Sequence, residues 1–527
     1  MVSQTSSIER QSPWLANLPT EIVLVISSFL TNRDRKSLRS SCRALNKVTP
    51  LFFSRVFLST NPLDIEVFCA VAIHHTFRHQ VTEIIWDDAR FLPEPVIPEE
   101  EWRPYMDRED LEMNPDEECP NWFVEGCEEN IDLLRRRKGD DVDRPDHIAR
   151  QKQIDAQMPL RQCWELYSKL LKDQNEVIDS KADEKAFILG LQQFPHLRRV
   201  TVTPAAHGWL FAPLYETPMI RAFPYGFNYP IPRGWPTVDF REAAQDPVPW
   251  SEATEEYKDQ WRGVRIALRI LSQHDHRVSE LSFDSKQLIT GINFMIFAQP
   301  CEECEHFTAI MKRPAFKHLD LPLLVGHQGY GGWEGLNSGK LYQALSEAKE
   351  LTYISFSTSV LEGPIPDVPP LKKIFPVEHW PALCHFGLSH FCVVQTDLME
   401  LLKSFPNTLR CVELSFLHFA DAGLGWREFL DKMRQELDWS ERDPHVRPNV
   451  LSIMEGYNPP FVGQGVWLED ETTNFLYGSG QNPMVENAPY SPEFGYGMLR
   501  DLFEPEYTRP NLDHTRLSEM GITVRLW

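Results

Sequence analysis

Leu383-Cys384-His385-Phe386-Gly387-Leu388 and Leu409-Arg410-Cys411-Val412-Glu413-Leu414 share one spacing: an apolar residue, two others, an apolar, one other, an apolar. Equivalent positions differ by 26 (409 against 383, 412 against 386, 414 against 388), and Phe391 matches Leu417 at the same offset. Such self-similarity is the mark of a repeated supersecondary unit. Between the two copies, Leu398, Leu401, Leu402 and Phe405 recur at helical spacing behind Thr396, a residue suited to capping a helix. The unit reads as a helix followed by a short strand.

Five further copies lie upstream: Val81/Ile84/Trp86, Leu197/Val200/Val202, Val278/Leu281/Phe283, Phe316/Leu319/Leu321 and Leu351/Ile354/Phe356. Helical patterns precede most of them, namely Phe68/Val71/Ala72, Ala186/Leu189, Val264/Leu268/Leu271 and Leu341/Leu345/Ala348. Helix alternating with strand implies parallel pairing. The last five copies start 38, 35, 32 and 26 residues apart. Short parallel strands repeated in this way resemble a leucine-rich-repeat array, and the resemblance implies a curved solenoid whose units bury their apolar edges on one another. Most of these spacings exceed the roughly 20–29 residues usual for such repeats. Phe391, Leu417, Ser359 and Leu324 stand where the asparagine of that motif is expected. The alternative is an irregular α/β domain with several parallel strands.

Because side chains along a strand alternate between faces, the residues beside the apolar triplets belong to the concave side of such an array. Glu280, Asp284, Asp320, Tyr353, Ser355, His385 and Glu413 are the candidate substrate-binding residues there, accompanied by Ser282, His318 and Cys411. A second candidate is the Pro/aromatic insertion at 204–250, which carries Trp209, Phe211, Tyr215, Phe223, Tyr225, Phe227, Tyr229 and Trp235. It reads either as a set of interface anchors or as a long insertion folded over the repeats.

The N-terminal sixty residues have a different character. In Leu18-Pro19-Thr20-Glu21-Ile22-Val23-Leu24-Val25-Ile26-Ser27-Ser28-Phe29-Leu30, the residues Ile22, Ile26, Phe29 and Leu30 repeat with helical spacing. Pro19 suits a first helical position and Glu21 the positive end of the helix dipole. Asn32 and Asp34 interrupt the pattern and are placed to cap a second helix carrying Leu38, Cys42 and Leu45, which Pro50 ends. So small a unit buries little surface alone, and its dense apolar face suits docking of a helix into a partner's groove. Leu18-Pro19, Glu21-Ile22, Ile26, Leu30, Asp34, Leu38, Cys42-Arg43 and Leu45 resemble an F-box, with Arg35 where that family usually has leucine and Asn32 where it often has proline. The resemblance implies a Skp-type adaptor as partner, and through it a cullin. It implies Leu18, Pro19, Ile22, Ile26, Leu30, Leu38, Cys42 and Leu45 as the adaptor-binding set, the last three also holding the helices together.

The expected fold is therefore α/β: a short N-terminal helical F-box over 12–58, then an irregular leucine-rich-repeat-like α/β solenoid with long loop insertions over 59–527. A formal net charge of −23 repels a phosphate backbone, so no nucleic acid is expected as a partner. Between Glu94 and Asp132 fifteen carboxylates face two arginines, Arg103 and Arg108, among five prolines, with Pro93 just before. This acidic insertion, drawn at 92–146, reads as an extended or disordered solvated loop. Arg135 to Lys138 reads first as a solvated helix end and second as a nuclear-import patch. No stretch approaches the roughly 20 apolar residues of a membrane span, no secretory signal opens the chain, and ten scattered cysteines read as thiols. An intracellular protein, cytoplasmic or nuclear, is expected, with no membrane partner.

Cys301, Cys304 and His306 have the spacing of half a zinc site without a fourth ligand, and a helix start with two buried thiols is the preferred reading. Gly326 to Gly335 is glycine-rich but lacks a phosphate-loop ending, and Gly478-Ser479-Gly480 lacks the spacing of a nucleophile elbow. No catalytic residue, metal or cofactor is assigned. The expected function is a non-catalytic substrate-recognition adaptor of a Skp-cullin-F-box type ubiquitin ligase, the repeat domain binding a target protein. The alternatives are an adaptor-bound scaffold without ligase activity and, from a different class, an enzyme or metal-binding protein.

Overall fold

The computed structural model describes residues 15, 18–93, 113–114, 118–138, 145–237, 246–286, 288–326, 332–360, 367–421, 423–454, 463–486, 491–504 and 507–511. Three short helices open it: α1 (Thr20–Ser28), α2 (Asn32–Ser41) and α3 (Arg43–Val48). Their caps sit one residue away from the positions read in the sequence. Pro19 is the N-cap of α1 rather than its first helical residue, and Thr31 rather than Asn32 caps α2, its Oγ1 accepting the Asp34 N–H at 3.2 Å. The second helix is split because Cys42 turns extended, its sulfur accepting the Leu45 N–H at the start of α3.

Each apolar triplet becomes a strand of one sheet. Among the described residues nine strands run parallel and side by side in chain order: β1 (Arg55–Leu58), β2 (Glu83–Asp87), β3 (Arg199–Thr203), β4 (Glu280–Phe283), β5 (His318–Leu324), β6 (Tyr353–Thr358), β7 (His385–Ser389), β8 (Cys411–Ser415) and β9 (Asn449–Met454). The second residues of the triplets are direct partners along one unbroken row: Val56, Ile84, Val200, Leu281, Leu319, Ile354, Phe386, Val412 and Val450. All of them are buried. The register is set by that row, since a slip of one residue would turn every one of these side chains to the opposite face.

Strands β1 and β9 have no triplet in the sequence reading. β1 does carry the spacing, in Phe53, Val56 and Leu58, whereas the third apolar position of β9 is Ser452. Because β1 pairs with β2, the junction between the helical unit and the sheet lies between Val48 and Arg55, before the boundary drawn at 58. After β9 the direction changes: β10 (Gln464–Leu468), β11 (Met498–Asp501) and β12 (Thr508–Pro510) add antiparallel and complete a thirteen-stranded sheet, the thirteenth being the short Ile292–Asn293 segment beside β5.

Helices cover the face that carries the triplets. α4 (Pro62–Ile73), α8 (Ala182–Gln193), α9 (Arg262–Gln273), α10 (Glu302–Met311), α11 (Lys340–Ser346), α12 (Gln395–Ser404) and α13 (Trp426–Glu436) each stand before a strand, and Phe68, Ala186, Leu268, Ile310, Leu345, Leu401 and Leu430 join the strand rows in one continuous core. The helix α12 was legible from its apolar spacing; α13 was not. Between β6 and β7 two 3-10 turns, Leu371–Lys373 and Val377–His379, replace a helix, and Trp380 fills the space with its indole N–H on the Leu345 carbonyl.

The acidic insertion needs correction. Residues 94–112, 115–117 and 139–144 lie outside the described residues, but the stretch from Asn121 is a helix with one face packed on the rest of the chain rather than a solvated loop. It forms α5 (Asn121–Lys138), followed by α6 (Pro145–Asp155) and α7 (Leu160–Ser180), and Trp122, Phe123 and Cys127 pack with Cys163, Tyr167 and Phe227 into a second core. The basic run does end a helix, with Arg135 and Arg136 exposed, whereas Arg137 is buried. No helix of the described residues is long and apolar enough to cross a membrane.

Candidate functional site

Helix α1 buries only Val23 and Ser27 on the rest of the chain. Ile22, Leu24, Val25 and Phe29 are exposed by 47, 43, 57 and 85%, an apolar surface that water does not favour. Of the expected adaptor-binding residues, Pro19 and Ile22 are exposed, Leu18, Ile26, Leu30, Leu38 and Cys42 are half-buried, and Leu45, within α3, is buried. Leu45 is thus a packing residue. Leu24, Val25 and Phe29 were missing from that set, although Phe29 shows in the helical spacing. The two departures from the family pattern both brace this unit. Arg35 is buried, its Nε–H donating to the Ser27 carbonyl at 2.8 Å and its guanidinium lying 6.0 Å from the Phe52 ring. Asn32 exchanges two hydrogen bonds with the backbone of Phe52, at 2.5 and 3.0 Å, tying the helices to the strand that follows.

The face of the sheet opposite the helices carries the expected substrate-binding residues in register. One row runs Arg55, Glu83, Arg199, Glu280, His318, Tyr353, His385, Cys411 and Asn449; beside it run Ser282, Asp320, Ser355, Gly387 and Glu413. The charges on this face are largely engaged with one another. Arg55 pairs with Glu83 at 2.7 Å, Arg199 with Glu280 at 2.6 Å, and His318 Nε2 meets Asp320 at 2.9 Å. The Tyr353 ring lies between His318 and His385 at 3.8 and 4.0 Å, nearly parallel to both. Burial raises Asp320, but the contacts with His318, Ser282 and Arg199 outweigh it and hold the carboxyl below its usual range. Glu413 is raised by burial and by the nearby Asp320. Burial also pulls His385 down to about 4, leaving a neutral imidazole at physiological pH. Asp284, beyond the end of β4, receives the Tyr215 hydroxyl at 3.1 Å and pairs with Lys286 at 2.9 Å.

The Pro/aromatic insertion folds inward for the most part: Phe227, Tyr229, Trp235 and Trp250 are buried, and among its described rings Tyr225 alone is largely exposed. Residues 238–245 lie outside the described residues. Beneath it sits a buried polar group that the sequence reading missed. His207 Nδ1 lies 2.9 Å from the Tyr229 hydroxyl, and its Nε2 3.6 Å from Asp87 Oδ2 at the end of β2. Burial raises Asp87 well above the carboxylate range and lowers His207 to about 3. A neutral acid beside a neutral imidazole is the result. Neighbouring Asp88 accepts the Trp235 indole N–H at 2.8 Å and the Gly263 N–H at 2.8 Å, fixing the insertion and the start of α9 on the strand end.

Among the described residues no group of three or more His, Cys, Asp or Glu is placed to hold a metal. Cys301 stands at the N-cap position of α10 without capping it, its thiol donating to the Ile296 carbonyl at 3.3 Å, Cys304 is buried, and His306 bonds the Ser272 hydroxyl at 2.8 Å. Burial raises Cys301 to about 12 and Cys411 to about 11, so neither thiol is an activated nucleophile at neutral pH.

No protein-family model and no curated protein matches the chain. The surfaces must speak for themselves: an exposed apolar helix at one end, a half-buried polar sheet face, and a cavity of about 390 Å³ walled by the aromatic insertion.

Proposed function

We propose that the chain is a non-catalytic substrate receptor of a Skp-cullin-F-box type ubiquitin ligase, acting inside the cell. The observation that carries this reading is the exposure of Ile22, Val25 and Phe29 along one side of α1, next to half-buried Ile26 and Leu30. Apolar residues spaced three or four apart on a helix are what a partner's groove takes up, and the order of residues from Leu18 to Leu45 resembles an F-box. In this reading α1 to α3 bind a Skp-type adaptor and the remainder binds the target. The parallel strands, with triplets in register and helices on one face, support reading that remainder as a divergent leucine-rich-repeat solenoid. The chain would bring the target to the ligase and perform no chemical step itself.

The test is capture on an immobilised Skp-type adaptor. Replacing two central anchors of an interface removes more than about 1.4 kcal/mol, a tenfold loss of affinity. The double variant Ile22→Asp, Phe29→Asp is expected to lose at least tenfold in retention while its unfolding midpoint is unchanged, since both side chains are exposed. Equal retention of variant and wild type would overturn the proposal.

A further inference from the structure

We infer that the open edge of β1 takes up an extended segment of the target polypeptide as an added strand, with an apolar side chain held in the cavity beside it. This rests on the substrate-receptor reading but concerns a surface other than the exposed side of α1.

In a parallel ladder, alternate residues of a strand turn their N–H and C=O groups to the same neighbour. The Ser54 carbonyl receives the Glu83 N–H at 3.1 Å, so Ser54, Val56 and Leu58 bond toward β2, and the backbone groups of Arg55 and Phe57 point to the outer edge. Among the described residues β1 pairs with β2 alone, and no hydrogen bond from any other segment reaches the backbone of Arg55 or Phe57. Just before this edge the Asn32 amide pairs with the Phe52 backbone as a neighbouring strand would, and that protection stops short of Arg55. Unpaired groups on an edge strand are a template for another extended chain. Their complement is a polypeptide backbone, which alone repeats donor and acceptor at the matching spacing.

The helix layer is bare at the same end. Leu63, Val67 and Ala70, at i, i+4 and i+7 along one side of α4, are exposed. By contrast α9, inside the array, buries every apolar residue it has. Repeat arrays need end units with a polar outer face, whereas this end has the surface of an internal unit. A cavity of about 250 Å³ lies there, lined by residues 52–57, by Val67 and Val71 of α4, by Asn32 and Lys36 of α2, and by Pro218 and Arg221. Because α2 and the short helix Pro218–Arg221 both border it, the edge is recessed. One extended segment can enter, but a second copy, recessed in the same way, cannot pair with it edge to edge. Side chains of an added strand would alternate between faces. Those on the side of Val56 meet Val67 and Val71, and those on the side of Arg55 extend the row that runs on through Glu83 and Arg199 to His318 and Tyr353. Continuity with that face assigns the strand to the target.

The experiment uses the full chain and a fluorescent peptide of alternating valine and threonine, read by anisotropy and by residue-resolved amide exchange. In the free chain the Arg55 and Phe57 amides should exchange about tenfold or more faster than those of Val56 and Leu58, and slow by as much at saturating peptide. Binding should weaken about tenfold or more when the peptide amides are N-methylated, and in the variants Val67→Asp and Arg55→Pro. Val67 and the Arg55 side chain are exposed, and proline is tolerated at the first residue of an edge strand, so neither change threatens the fold. The variant Ile22→Asp, Phe29→Asp should bind the peptide normally, and Arg55→Pro should be retained normally on the adaptor, which separates this test from adaptor capture. Four results would overturn the inference: Arg55 and Phe57 amides already protected in the free chain, no peptide binding, equal binding of the N-methylated peptide, or protection of these amides by the adaptor alone, which would assign the strand to the adaptor.

Discussion

Asp87 and His207 show how burial alone rewrites the chemistry of two residues that look unremarkable in the chain. In the folded protein the pair holds one proton, on the raised carboxyl, because His207 is lowered to about 3. Between about pH 4 and 6.5 the unfolded pair also holds one, on the imidazole. The two groups therefore add no slope to stability in that window. Above about pH 6.5 the unfolded histidine holds no proton, so over the range where burial keeps the Asp87 carboxyl protonated in the fold their contribution falls as pH rises. Below the normal aspartate range the unfolded carboxyl gains a proton and the contribution falls again as pH drops toward 3. Asp87→Asn is expected to remove the alkaline loss. Urea unfolding at pH 6 and 8.5 checks this: the decline between the two should be smaller in the variant, and an equal decline contradicts the assignment. The sequence offered no signal for this pair, since its members are 120 positions apart (207 against 87) and fit no motif spacing.

At the scale of elements, the apolar triplets determine where strands form and which face is covered. Phe386 is fully buried, aligned with Ile354 and Val412 in the neighbouring strands and packed against Phe375 and Phe405. Phe386→Ala should cost about 3–5 kcal/mol, the lost transfer energy plus the cavity left behind. Ser355, on the opposite face of β6, should tolerate alanine within about 0.5 kcal/mol, as surface positions usually do. Denaturant unfolding of both variants measures the contrast; equal effects would mean that the two faces are not differently covered. Seven strands were readable because three apolar residues recur at fixed offsets. β9 was not, because Arg447 and Ser452 stand at the outer positions of its triplet, whereas β1 carries the full spacing in Phe53, Val56 and Leu58 and was overlooked.

The whole molecule is closed by contacts between segments far apart in the chain. Arg137, at the end of α5, pairs with Asp501 at 2.7 Å and Glu504 at 3.1 Å, and lies 4.8 Å from the Trp209 ring. Arg150 of α6 pairs with the same glutamate, and Trp209 packs on Phe503 at 5.2 Å. These contacts tie the two insertions to the antiparallel strands that end the sheet. Removing one partner of a buried ion pair leaves an uncompensated charge, so Arg137→Met should destabilise by about 3–5 kcal/mol. Thermal or urea unfolding reads the loss, and hydrogen exchange should place it in α5 and β11. A change below about 1 kcal/mol would show that the insertion is not held by this contact.

What the sequence by itself determined is local and periodic: helix and strand in alternation, the triplet row, the apolar face of α1, and the net negative charge. These depend on residues within a few positions of one another, so spacing is enough to read them. Only the tertiary structure decided that the acidic insertion contains a packed helix, that Arg35 and Asn32 brace the N-terminal unit, and that the aromatic insertion encloses a cavity over a buried acid and imidazole. The physical reason is desolvation. Whether a charge or ring is buried depends on which distant segment covers it, and that is settled by packing rather than by its neighbours in the chain.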